Sequence, residues 1–224
     1  MSTPQYFVTS DTGSAVLSLV DVMQANREML SEIDGAIGDG DHGINMSTGF
    51  LHFREAVASK QLTFGHALVV LGTTLLEVTG GSLGPLYGSM FIEMGTSAET
   101  RDTMDAAAFI AMLEAGRDSM MDIGGARPGD KTLLDCLCPA IDAFNTASDQ
   151  GASFADSLIA MQQGAEAGKE STRGMIAKIG RASRLGERSR GVLDAGASSC
   201  CLILTSLADS LRSNLKPWNP SKEI

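Results

Sequence analysis

The sequence predicts an all-α fold, on three observations. Apolar residues recur at helical spacing through almost every long segment. Runs rich in β-branched and aromatic residues, which mark strands, are scarce, and aromatics make up only 5% of the chain. Glycine and proline clusters cut the apolar segments into helix-sized lengths, with no internal repeat and no break in composition. One domain over residues 1–224 is expected, with a core at about 10–211 and a tail at 212–224.

Ser10 or Asp11 is placed to cap a first helix carrying Val16, Leu17, Val20, Met23, Met29 and Leu30. It is expected to end near Asp34 and Gly35. A second helix starts after Gly43 and carries Phe50, Phe53 and Val57. A third spans about 63–79, and its run A-L-V-V-L-G-T-T-L-L-E-V reads as largely buried. The cluster G-G-S-L-G-P breaks it, with Pro85 placed to open the next helix. That fourth helix is expected to reach Met94 and give way to a polar linker over 95–103. A fifth covers about 105–123 and stops at Gly124-Gly125. After the turn A-R-P-G-D-K come a sixth at 132–145, a seventh at 153–171 and an eighth at 196–211. The basic, glycine-dotted segment 178–190 is too polar for core. The tail K-P-W-N-P-S-K-E-I reads as a disordered or docking end.

At 224 residues the chain can bury a substantial core. A net charge of −10 argues against nucleic acid as a partner, since phosphate contacts require Lys and Arg. The four cysteines lie in apolar segments, and Cys136-x-Cys138 lacks zinc-knuckle spacing. They read as small buried hydrophobes in a reducing compartment. No signal peptide and no membrane-length apolar run is evident, so a cytoplasmic location is expected.

Chemistry concentrates in I-D-G-A-I-G-D-G-D-H-G-I-N-M, where Asp34, Asp39 and Asp41 fall within eight residues and alternate with glycines. Carboxylates this close repel unless a cation sits among them or they stay protonated, and the competing reading is a solvated acidic turn between two helices. Mg²⁺ takes oxygen ligands, commonly one or two carboxylates together with substrate phosphates. Glycine loops at 35–43, 80–84 and 124–129 all adjoin helix ends, whose free N–H groups favour an anion. A single loop of this kind is ordinary punctuation; three suggest a shared anion site. Two motif matches fail on context. Gly38-x-Gly40-x-x-Gly43 spells the dinucleotide fingerprint without its preceding strand. Residues 124–132 nearly spell a P-loop, but Asp130 separates Gly129 from Lys131. The acidic loop also lacks the glutamate that ends an EF-hand.

Five blocks in fixed order, G-D-G-D-H-G-I-N, G-G-S-L-G-P-L-Y-G, P-G-D-K-T, G-R-A-S-R-L-G-E-R-S and D-A-G-A-S-S, carry a resemblance. Over about residues 10–211 the chain resembles the nucleotide-binding L subunit of dihydroxyacetone kinase. It is equally similar to the C-terminal domain of single-chain dihydroxyacetone kinases. The resemblance implies an antiparallel barrel of about eight helices holding ATP or ADP through two Mg²⁺ ions. It implies Asp34, Asp39 and Asp41 as metal ligands. His42, Asn45, Ser82, Leu83, Gly124, Leu133, Arg181, Asp194, Ala195 and Gly196 are implied around the nucleotide. Leu83 stands where a serine is frequent, and Ala195 where many relatives have proline.

These roles suit phosphoryl transfer, which depends on positioning and on offsetting the charge of the phosphate oxygens. Arg181 supplies a positive group for that purpose in an acidic molecule. His42 either donates to a phosphate or orders its loop. His52 and His66 show no partner signal and read as structural. Arg184, Arg188 and Arg190 read as a solvated face or as a basic lip. In the resembled family the ketose is held by a separate K subunit, and nothing in this chain looks like that part. The expected function is a kinase subunit passing the γ-phosphate of Mg-ATP to a ketose on the partner. The alternative donor arrangement keeps ADP bound and recharges it from a phosphohistidine protein of the phosphotransferase system. A non-catalytic regulatory module and a metal-dependent phosphatase are the competing classes.

Overall fold

The computed structural model describes residues 3–58 and 60–218. Nine α-helices dominate it: α1 (Gly13–Ala25), α2 (Arg27–Ile37), α3 (His42–Val57), α4 (Phe64–Val78), α5 (Leu83–Glu99), α6 (Ala106–Gly124), α7 (Leu134–Asp149), α8 (Phe154–Ser171) and α9 (Ala195–Arg212). The fold class is all-α, as the periodicity predicts. Among the described residues, no helix is long and apolar enough to cross a membrane.

Neither Ser10 nor Asp11 caps α1, which starts after Thr12 because residues 9–11 form a 3₁₀ turn, and the boundaries differ from expectation in three further places. The first predicted helix is two, because Asn26 leaves helical backbone angles (φ −107°, ψ 9°) and its side chain donates to the Val22 carbonyl at 2.8 Å. Asparagine competes in this way with the ladder of backbone bonds. The predicted linker at 95–103 is half helix. α5 continues to Glu99, since Gly95 lets it lie against the Gly65 carbonyl of α4.

Three short strands, absent from the sequence reading, form the third difference. β1 (Gln5–Val8), β2 (Thr103–Asp105) and β3 (Lys216–Pro217) make an antiparallel sheet in the order β2-β1-β3. The tail therefore docks as far as Trp218, whose ring meets Tyr6 edge-on at 5.7 Å and whose N–H donates to the Pro4 carbonyl at 2.7 Å. The rest of the tail, 219–224, lies outside the described residues.

Each helix from α3 to α9 packs on its chain neighbour, and α1 lies against α3, α4 and α9. The α4–α5 pair is the tightest. Gly65 and Gly72 on α4 face Gly95 and Gly88 on α5 at matched heptad spacing, and a Cβ on Gly72 would stand 2.5 Å from the Gly88 carbonyl oxygen. The starts of α4 and α8 are pinned by Phe64 and Phe154, which pack on the fully buried Phe7 of β1 at 5.2 and 6.3 Å. The small sheet thus covers one end of the helices. The opposite end is open, and the cleft lies there.

Candidate nucleotide site

A cleft of about 540 Å³ is lined by the ends of α2 and α6, the loop after α4, and the beginnings of α3, α5, α7 and α9. Four helix N-termini therefore converge on it. α4, α6 and α8 begin elsewhere, and each is capped by a side chain: Thr63, Asp105 and Ser153. α3, α5 and α7 have no side-chain cap at Asp41, Ser82 and Leu133. At α3 the His42 N–H reaches Asp34 Oδ2 at 3.4 Å, and at α7 Thr132 takes the N–H groups of Leu134 and Asp135 at 3.2 and 3.0 Å, so the first N–H groups of α5 are the ones left for another acceptor; the positive dipole ends all favour an anion. At the fourth, Asp194 caps α9 through the Ala197 N–H at 2.7 Å.

Twelve of the thirteen residues singled out from the sequence line this cleft: Asp34, Asp41, His42, Asn45, Ser82, Leu83, Gly124, Leu133, Arg181, Asp194, Ala195 and Gly196. Asp39 stands beside it, ion-paired to Arg181. Asp34, Asp39 and Asp41 each offer an oxygen within 4.8 Å of the others. Gly38 makes room for this, since a Cβ there would stand 2.5 Å from Asp34 Oδ1. Arg181 also reaches Asp41 Oδ2 at 3.4 Å. Its guanidinium thus stands in for a cation among the carboxylates, and the donor set fits a hard divalent ion. The same guanidinium lies 3.6 Å from where a Cβ on Gly81 would sit, so Arg181 joins the acidic loop to the glycine loop before α5.

His42 turns away from this charge. Its Nε2 shares a hydrogen bond with Ser199 Oγ at 2.9 Å, and Tyr87 meets the same oxygen at 2.7 Å while donating to the Gly196 carbonyl at 3.0 Å. Burial pushes the imidazole pKa down to about 4, against the pull of Asp34, so the ring is neutral near pH 7. Of the two roles expected for His42, the geometry favours ordering the loop. Asp194 is pushed up to about 7 by burial, which outweighs the Ala197 N–H bond and the opposing charge of Lys131.

Lys131 stands in the P-G-D-K-T block and in the failed P-loop match, but neither gave it a role. It lines the cleft, is 2% exposed, and is the one described non-glycine residue with positive φ, at 63°. Its ammonium donates to the carbonyls of Met175 at 3.3 Å, Val192 at 2.7 Å and Ser189. The turn that carries it is held by Asp135, which accepts from the N–H groups of Gly129 and of Thr132, the latter at 2.7 Å. Ile123, Ile179, Leu86 and Tyr87 are further lining residues that were not singled out. Their signal was weak, being ordinary apolar residues next to the quoted blocks. His52 and His66 do have partners, the exposed Glu55 and Glu99, each at 3.4 Å.

Against known families, residues 36–209 match the DAK2 domain. The chain belongs to the DAK2 family. Its relatives include the subunit called PEP-dependent dihydroxyacetone kinase, ADP-binding subunit DhaL, from Escherichia coli. That subunit is 38% identical over 84% of this chain and 90% of its own length. The PTS-dependent dihydroxyacetone kinase, ADP-binding subunit DhaL, of Lactococcus lactis is 34% identical over 84% of this chain and 90% of its own length. D-erythrulose kinase of Mycolicibacterium smegmatis is 32% identical over 86% of this chain, which spans 34% of that enzyme. Among solved structures, the native dihydroxyacetone kinase of C. freundii aligns with a TM-score of 0.68 at 25% identity, covering 89% of this chain and 34% of that one. By its identity to those subunits, the DAK2 chain described here is of the DhaL kind.

Proposed function

We propose that this chain is the nucleotide-binding, phosphoryl-transfer subunit of a small-ketose kinase. It carries the phosphoryl group on a Mg-bound adenine nucleotide and delivers it to a ketose held on a separate K-type subunit. The observation that carries this reading is that three carboxylate oxygens within 4.8 Å and a guanidinium meet four helix N-termini at one cleft. Asp34, Asp39 and Asp41 would hold two Mg²⁺, which supply charge to offset the phosphates. Arg181, the amides of Ser82 and Leu83, and Asp194-Ala195-Gly196 would orient the phosphates, with Asn45 beside them. Gly124, Leu133 and Ile123 would flank the base. We further propose that residues 1–224 act as one domain and that the helices close as an antiparallel barrel. The four free cysteines suit the cytoplasm.

Two donor arrangements fit these residues equally. The names of the full-length relatives, PEP-dependent, PTS-dependent and ADP-binding, favour the one in which ADP stays bound and is recharged by a phosphohistidine protein. Dihydroxyacetone is the ketose those names indicate, and erythrulose is the alternative raised by the longer relatives.

The test combines the purified chain with a K-type subunit, dihydroxyacetone, and either Mg-ATP or phosphoenolpyruvate with the phosphotransferase proteins. Product should form with the chain and be lost with Asp39→Asn. ADP that survives dialysis supports the recharging arrangement, and ready exchange supports ATP. Full activity in Asp39→Asn, or product without the chain, overturns the reading.

A further inference from the structure

We infer that Lys131 is a positioning residue for Arg181: it cinches the arginine-bearing segment 175–192 by three backbone carbonyls and binds no phosphate itself. The inference rests on the nucleotide reading of the cleft. An ammonium has three N–H donors. At Lys131 all three find carbonyls, those of Met175, Ser189 and Val192, and the side chain is 2% exposed. Nothing is left to donate to a ligand, so the near-match to a P-loop misleads about its role as well as its fold.

The carbonyls lie on both sides of Arg181 in the chain. Met175 precedes it, and Ser189 and Val192 follow, so one cation closes the neck of a loop whose body carries the guanidinium. Hydrogen bonds to a charged donor are stronger than neutral ones, which suits a clamp of this kind. The same turn supplies a second strap, since the Asp130 carbonyl accepts from Lys178 N–H at 3.1 Å and its carboxylate meets Lys178 Nζ at 3.2 Å. Inside the loop, Ser189 Oγ accepts from Ala177 N–H at 2.9 Å and donates to the Gly186 carbonyl at 2.7 Å.

The neck is also closed by the Gly191 N–H on the Arg173 carbonyl at 2.7 Å and by Arg190 on the Gly174 carbonyl at 3.0 Å, but the body that carries Arg181 has little apolar support. Gly180, Gly186 and Gly191 all have positive φ, and of residues 175–192 only Ala177 and Ser189 are buried. Hydrophobic burial therefore contributes little, and polar bonds, those to the P-G-D-K-T turn chief among them on the Arg181 side, set where the loop lies. Asp135 fixes that turn from α7. The resulting chain of contacts runs from α7 through Lys131 to the loop, and from its Arg181 to Asp39 and Asp41.

The experiment uses Lys131→Met, Arg181→Gln and their double variant. Without ligand, Lys131→Met should speed hydrogen exchange at Ala177, Lys178 and Gly191 by at least about tenfold, and Arg181→Gln should leave it unchanged. In calorimetric titration with Mg-ADP, each single variant should weaken binding by about tenfold. The double variant should be no weaker than Arg181→Gln, because the clamp acts through that side chain. Unchanged exchange in Lys131→Met, or losses that add in the double variant, would overturn the inference. If Lys131→Met does not fold, Ser189→Ala replaces it, with the same non-additivity expected and additive losses again decisive against. A wild-type chain that does not bind Mg-ADP defeats the reading of the cleft, while the exchange arm still tests the clamp.

Discussion

Replacing Asp34 by Asn should make the ligand-free protein more stable and the liganded protein less so. The three aspartates place like charges within 4.8 Å. At that separation a pair repels by about 3 kcal/mol at an effective dielectric of 20 and by about 0.9 kcal/mol in bulk water. Asp39 and Asp41 are 50% and 43% exposed, so the lower figure is the better guide. Arg181 pairs with Asp39 and Asp41, while Asp34 accepts only a long bond from the His42 N–H at 3.4 Å, which an amide oxygen can keep, so Asp34 is the least compensated member. Removing its charge should therefore raise unfolding stability by about 1 kcal/mol, or about 2–4 °C in melting temperature for a chain of this size. The gain should shrink as salt is added. Mg-ADP at a hundredfold excess over its dissociation constant should stabilise the wild type by about 2.7 kcal/mol and the variant by far less. Thermal melts with and without Mg-ADP, at low and high ionic strength, read both signs. An Asp34→Asn variant that melts no higher than wild type without ligand refutes the repulsion argument. One that keeps the full Mg-ADP shift refutes the metal assignment.

Two further outcomes concern the scaffold. Gly72→Ala should cost about 2 kcal/mol or more in urea unfolding, because its Cβ would meet the Gly88 carbonyl oxygen at 2.5 Å and Ile92 N at 2.8 Å, both backbone atoms. Gly80→Ala is the control, with nothing within 4 Å. Docking of β3 should weaken in acid. The Lys216 ammonium, at 3.0 Å, and the Ser10 hydroxyl hold the Asp11 carboxyl below its ordinary pKa of 3.8. The contribution is therefore complete above that value and is lost as pH falls below it through the depressed folded value. Trp218, the only tryptophan, should report the release by fluorescence, and Lys216→Ala should abolish the pH step.

Helices α4 and α6 to α9 were legible within a few residues because strong local signals bound them. Thr63, Asp105, Ser153 and Asp194 each cap a helix start, and Gly125 ends α6 in the left-handed region. α5 outran its predicted end because Gly95 meets α4 across a gap that no local signal encodes. The strands were invisible for a similar reason. Two to four residues carry no measurable period, and β1 exists because residues 103–105 and 216–217 arrive beside it.

The candidate site divides along the same line. Asp34, Asp39 and Asp41 lie so close in the chain that their gathering into one acidic cluster follows from spacing alone. The five ordered blocks hold most of the residues that line the cleft, though not Asp34, Ile37, Ile123, Gly124, Leu133 or Ile179. What the chain order could not determine was which partner each polar group would take. His42 finds Ser199, 157 residues away, instead of pointing at the charged end, and Lys131 finds carbonyls 44 to 61 residues away. Composition and local pattern decide where charges and helix ends fall, because those depend on neighbours in sequence. Which hydrogen bonds a buried cation or imidazole makes depends on distant backbone brought close by packing, and only the tertiary structure decides that.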